Sequence, residues 1–206
     1  MSWPFNHLTP MKYGALLVDF PWEYIMRSDK GYEKAPEAHY DTMSLEEIME
    51  LPISHLASGD CLGVFWSTWP HLELCLKVIK HHGFTYKTGG AWHKKTVTGK
   101  SAFGTGYIVR SATEPYIIAT IGKPKLHSKS VRNVIETIEE IDGQDVETFP
   151  TAIEFLRREH SRKPPQMREN IEQLMPHVFA AELFAREPWP GNEVWGREVN
   201  KFAEAS

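Results

Sequence analysis

The chain has 206 residues, 41% hydrophobic and 24% charged, with a formal net charge of −4; such values suit one globular domain (residues 1–206) with a sizeable core. They argue against a polycationic nucleic-acid coat, and the absence of a long apolar run or a charged-then-apolar N-terminus argues against a membrane span or secretory leader. The expectation is a cytoplasmic protein with no membrane partner, whose two cysteines, Cys61 and Cys75, are reduced core residues.

Residues 1–12, with Trp3, Pro4, Phe5 and Pro10, read as an irregular arm pinned by aromatics. Ala15 to Val18 is a continuous apolar run, the mark of a buried parallel strand. Pro21 cannot donate to a ladder, so the strand stops before it. That leaves Asp19 at the carboxyl end of a central strand, where open α/β sheets place their ligands. A carboxylate followed by Pro21 and the flat ring of Trp22 suits an amino-bearing aromatic base: the acid accepts from the amine and the ring stacks on the base. The same residues also fit a turn acid and a core tryptophan.

Residues 23–42 are polar, with Tyr24, Gly31, Tyr32, Pro36, His39 and Tyr40 and no apolar period, and read as a loop over the site. Ser44 and Glu47 form a capping box for a helix that ends before Pro52, and residues 53–56 begin a short turn. Cys61 to Trp66 is a second buried strand. Residues 70–82 form an amphipathic helix through Leu72, Leu74, Cys75, Leu76, Val78 and Ile79, ended by Gly83. Phe84 to His93 alternates as a strand. The strand–helix succession predicts a parallel α/β sheet.

Lys94 to Lys100 is basic, and residues 94–110 read as a flexible loop leading to Tyr107 and Arg110, which either touch a polynucleotide or are solvated. Gly104 and Gly106 lack the spacing of a dinucleotide loop. Glu114 to Ile121 is a strand, and Lys123 to Arg132 is again basic. Val134 and Ile135 suggest a short edge strand beside an acidic insertion at about 136–150, with a helical part near 134–141. Residues 151–158 read as a short helix. Pro164 opens another, with Met167, Ile171, Leu174 and Met175 on its apolar face. Val178 to Phe184 is the last clear strand. Glu182 lies inside it, and since an unpaired buried acid is costly, it marks a ligand or an ion pair, with Arg186 as candidate partner. No catalytic-triad order, zinc spacing or phosphate-loop motif is present, so no metal is expected.

Four pieces in series resemble the MT-A70 family of S-adenosylmethionine-dependent adenine N6-methyltransferases. They are Asp19-Phe20-Pro21-Trp22, Gly104 to Tyr107 with Arg110, His160 to Pro164, and Ala181 to Arg186 with the Val194-Trp195-Gly196 tail. The resemblance covers nearly the whole chain and is greatest to short, single-domain members of bacteria and phages. It implies a Rossmann-like α/β fold of the class I methyltransferase kind, permuted so that the catalytic motif comes first. It also implies S-adenosylmethionine as methyl donor, S-adenosylhomocysteine as product, and adenine in DNA as acceptor. The alternatives are the same chemistry on RNA, or a catalytically silent nucleic-acid-binding or scaffold member. Target recognition would come from the 23–42 and 94–110 loops, from a second copy or from a partner protein.

By the same resemblance, Asp19, Phe20, Pro21 and Trp22 would be catalytic. The Asp19 side chain and the Phe20 carbonyl would accept the protons of the adenine amine, and Trp22 would stack on the flipped base. Asp19 would also contact the cofactor, and Lys163 would lie by its methionine end. Glu182, Phe184 and Arg186 would lie by its ribose and adenine, with Arg197 and Glu198 in the tail. Trp22, Tyr24, Tyr107 and Arg110 would face the substrate. Three features depart from the family pattern: Phe20 stands for its first proline, Arg197 for the asparagine of Gly-Asn-Glu, and the acidic segment 136–147 is longer than in short members.

Overall fold

The computed structural model describes residues 3–23, 42–96, 98–103, 108–139 and 163–200. Tyr24 with most of the 23–42 loop, Gly104 to Tyr107, the acidic insertion from residue 140 and the helix expected at 151–158 lie outside these residues.

The described strands are β1 (Tyr13–Asp19), β2 (Ala57–Trp66), β3 (Thr85–Thr96), β4 (Thr113–Ile121), β5 (Val134–Glu139), β6 (Ala180–Leu183) and β7 (Glu193–Trp195). The helices are α1 (Leu45–Glu50), α2 (Leu72–His81) and α3 (Gln166–Leu174), the last renewing the chain after Pro164 and Pro165. Both halves of the Ser44–Glu47 capping box form at the start of α1. A 3₁₀ turn, Trp69–His71, leads into α2, and Gly83 at φ 76° ends it. Cys75, Val78 and Ile79 face inward from α2, whereas Leu76 turns outward. Both cysteines are free and buried.

One seven-stranded sheet runs in the order β5-β3-β4-β2-β1-β6-β7. The first strand of the chain is thus central, flanked in parallel by β2 and by the late strand β6. This is a permuted, Rossmann-like α/β arrangement. Three expectations are corrected. The sheet is mixed rather than parallel, because β4 inserts between β2 and β3 and is antiparallel to both. A return of that kind needs no crossover helix. The edge strand expected at Val134 and Ile135 forms and runs on through residues 134–139, paired in parallel with β3, where a helical part was expected; Ile135 turns into the core opposite Trp92. Lys94 and Lys95 accordingly belong to β3 rather than to a loop. The tail adds the short strand β7, which has no signal of its own in the sequence.

The two faces of the sheet carry different layers. Leu16, Val18, Phe20, Phe65 and Ile117 pack with Ile48 of α1 and with α2. Leu17, Val64, Trp66, Trp92 and Tyr116 pack under Met167 and Ile171 of α3. On this second face Asp19 pairs with Trp66, Trp66 with Tyr116, and Glu114 with Trp92. Side chains alternate with period two, so Asp19, Glu114 and Lys94 project from one rim beyond a layer of aromatics. No helix among the described residues is long and apolar enough to cross a membrane.

The β3–β5 joint tolerates only glycine at residue 90. An added Cβ would collide with the Asn133 carbonyl oxygen and the Tyr116 ring, and that carbonyl also accepts the Ala91 N–H at 3.0 Å. Gly90→Ala is expected to destabilise the fold by about 1–3 kcal/mol, read as a lower urea midpoint with an unchanged slope.

Candidate active site

Four charged side chains of alternating sign meet at the rim. Lys163 Nζ lies 3.4 Å from Asp19 Oδ1 and 3.0 Å from Glu114 Oε2. The other Glu114 oxygen, Oε1, lies 3.2 Å from Lys94 Nζ. Lys94 stands 4.0 Å over the Trp92 ring, and Lys163 stands 5.6 Å over Trp66. Asp19 comes from β1, Glu114 from β4, Lys94 from β3, and Lys163 from the segment that enters α3. Lys94 is buried and the other three are half-buried; charges drawn this far from water persist only when paired, and here each has an opposite neighbour.

The ionisation of the group follows from that pairing. Burial alone would push the Glu114 carboxyl up, but Lys163 and Lys94 outweigh it and hold it at about 2. Burial disfavours the charged form of Lys163, yet Asp19 and Glu114 carry its pKa above the ordinary lysine value. Burial raises Asp19, and the pull of Lys163 and Arg186 only partly offsets it. The partners explain the division: Glu114 lies between two ammonium groups, Lys163 and Lys94, whereas Asp19 shares Lys163 with it and also feels the negative charge of Glu114.

Beyond Asp19 the backbone turns tightly. The Phe20 carbonyl accepts the Trp22 N–H at 3.0 Å, and the Pro21 carbonyl accepts the Met43 N–H at 2.8 Å. The Phe20 side chain points to the other face of the sheet and packs on Phe65, Trp22 and Phe184. A phenylalanine here therefore fills the core, while the backbone carbonyl stays at the strand end. Trp22 is 9% exposed and belongs to that core. Its ring lies parallel to His71, with centroids 5.6 Å apart at 10°. His71 Nε2 is 3.2 Å from the Glu23 carbonyl, which can only accept, so Nε2 carries the proton and Nδ1 accepts from the Thr68 hydroxyl at 2.8 Å. Burial lowers the His71 pKa, which favours this neutral form.

At the end of β6, Phe184 adopts φ 62° and meets Trp195 edge-on at 5.2 Å. Arg186 Nε is 3.6 Å from Glu198 Oε2. Glu182 is paired, but its partner is Arg168 of α3 at 2.8 Å, not Arg186. Arg168 also donates to the Glu187 and Pro188 carbonyls, tying α3 to the turn after β6. Burial raises the Glu182 carboxyl to about 7 against the pull of Arg168. The donor set suits S-adenosylmethionine: the Asp19 and Glu198 carboxylates match ammonium and ribose hydroxyls, and Phe184 offers a ring for a purine.

Of the residues singled out in the sequence, Asp19 and Lys163 come together, as do Phe20, Trp22 and Phe184, and Arg186 and Glu198. Arg197 and Arg110 are exposed, Arg110 lying 5.4 Å over Phe103. Tyr24 and Tyr107 are outside the described residues. Glu114, Lys94, Arg168 and His71 join the site without a motif of their own. A signal existed for one of them: Lys94 follows Trp92 by two residues, the period of a strand.

A family model, MT-A70, matches residues 13–198. The Type II methyltransferase M.MunI of a Mycoplasma species is 25% identical over 210 residues, which cover 95% of this chain and 81% of that protein. The N(6)-adenine-specific methyltransferase METTL4 of Mus musculus is 28% identical over 195 residues, covering 92% of this chain. The N(6)-adenosine-methyltransferase MT-A70-like of Arabidopsis thaliana is 26% identical over 180 residues, covering 84% of this chain. The chain spans only 38% of METTL4 and 22% of the Arabidopsis protein.

Because the folded-state pKa of Glu114 lies below the ordinary 4.5, its ionisation stabilises the fold above 4.5, and that contribution is lost as pH falls toward about 2. Urea unfolding of wild type and Glu114→Gln across this range is expected to show a pH-dependent gap of about 3 kcal/mol at neutral pH, closing on acidification.

Proposed function

The chain belongs to the MT-A70 family, and on that premise we propose that it transfers a methyl group from S-adenosylmethionine to N6 of adenine in DNA. The observation that carries this reading is the Asp19 carboxylate at the carboxyl end of central strand β1, with the Phe20 carbonyl beside it. The adenine amine is a weak nucleophile because its lone pair is delocalised into the ring. Two acceptors that take both amine protons hold that nitrogen in a more pyramidal, electron-rich form. Asp19 Oδ and the Phe20 carbonyl are those acceptors, and the Phe20 oxygen keeps a second lone pair after taking the Trp22 N–H.

Lys163, held by Glu114, steadies the Asp19 carboxylate from the side. Trp22, backed by His71, forms a flat wall for the base. S-adenosylmethionine, when bound, supplies an electrophilic methyl group. Asp19, Lys163, Phe184, Arg186, Arg197 and Glu198 are the residues proposed to hold it, with Glu182 bracing the same strand through Arg168. Orientation of this kind supplies much of the rate of a reaction that needs no covalent help from the protein.

The test is transfer from labelled S-adenosylmethionine to double-stranded DNA, single-stranded DNA and RNA, with N6-methyladenine quantified by mass spectrometry. DNA is expected to be labelled, and Asp19→Asn, which keeps the shape and loses one acceptor, is expected to cost at least about 100-fold in rate. Label in RNA alone would reassign the acceptor. No N6-methyladenine in any polymer would overturn the reading.

A further inference from the structure

Lys94 belongs to none of the family motifs and lies on a strand that carries no proposed site residue, yet its side chain is only 8% exposed. We propose that Lys94 is a positioning residue for methyl transfer, acting on Asp19 only through Glu114 and Lys163. The role rests on the methyltransferase reading of the same site.

A carboxylate held on each oxygen by a separate ammonium cannot rotate. Glu114 is held in this way, Oε1 on Lys94 at 3.2 Å and Oε2 on Lys163 at 3.0 Å. Lys94 is itself seated 4.0 Å over Trp92, whose Nε1 donates to the Thr137 hydroxyl on β5 at 2.9 Å. Side chains of β5, β3 and β4 thus determine where Lys163 stands, and Lys163 stands 3.4 Å from Asp19. Without Lys94 the linked group keeps two carboxylates and one ammonium, and Glu114 Oε1 loses its cation. Lys163 is then drawn toward Glu114, and Asp19 loses its support. The ionisable groups bearing on this cluster are Asp19 of β1, Glu114 of β4, Lys94 of β3, Lys163 ahead of α3, Glu182 of β6 and Arg186 after β6.

The experiment measures kcat, KM and the pH profile for Lys94→Met and Lys94→Arg, each alone and in a Glu114→Gln background, with folding checked by thermal midpoint. Lys94→Met is expected to lower kcat about 10–100-fold with little change in KM for DNA. Its acid limb is expected to move to higher pH as Asp19 loses the support of Lys163. Lys94→Arg keeps the charge and is expected to recover most of the rate. In the Glu114→Gln background the methionine variant adds no further loss, because the two residues act in series. Lys94→Gln makes the same comparison should the methionine variant not fold. An unchanged kcat and pH profile, or losses that multiply in the double variant, would overturn the proposal while an active wild type upholds the functional reading. A wild type that transfers no methyl group would overturn both.

Discussion

Lys163 is shared by two carboxylates, and the site depends on how it is shared. Had Asp19 alone claimed it, the pair would be a closed ion pair with little left to offer an amine. Glu114 holds it at 3.0 Å and Asp19 at 3.4 Å, so neither carboxylate has the ammonium to itself. The sharing holds because the groups are drawn partly out of water, where a misplaced charge is costly. The sheet register puts them there. The period of two that carries Leu17 and Trp66 into the apolar layer carries Asp19 to the rim opposite Glu114 and Lys94.

The turn after Asp19 shows how a motif can change its side chain and keep its chemistry. The alternation that buries Leu16 and Val18 also buries Phe20, in a pocket formed by Phe65, Trp22 and Phe184. A backbone carbonyl is available from any residue. What a proline would contribute by fixing the chain is here contributed by packing of the ring and by the hydrogen bonds of Phe20 and Pro21 carbonyls. Arg197, where the family pattern has asparagine, is exposed, while its neighbour Glu198 makes the inward contact with Arg186.

Local signals are legible in the sequence. The apolar run of β1, the Ser44–Glu47 cap, the buried stripe of α2 and the proline start before α3 each depend on neighbours within a few residues. What depends on pairing across the sheet was not legible. The insertion of β4 between β2 and β3 made the sheet mixed, and only that insertion brings Glu114 beside Lys163 and Lys94. In one dimension Lys94 looked like part of a solvated basic run. Glu182 was correctly marked as an acid needing a partner, but the guanidinium that reached it, Arg168, comes from a helix packed on the sheet rather than from the near neighbour Arg186.

The shared lysine is tested most directly by carbon-13 NMR of carboxyl-labelled protein, following the Glu114 side-chain resonance as pH is lowered, with Glu114→Gln to assign it. A carboxylate clamped between Lys163 and Lys94 stays ionised far into acid, with its midpoint at about 2 rather than at 4.5. A midpoint near 4.5 would mean that the two lysines do not hold Glu114 in solution, and the alternating cluster would not be what positions Asp19.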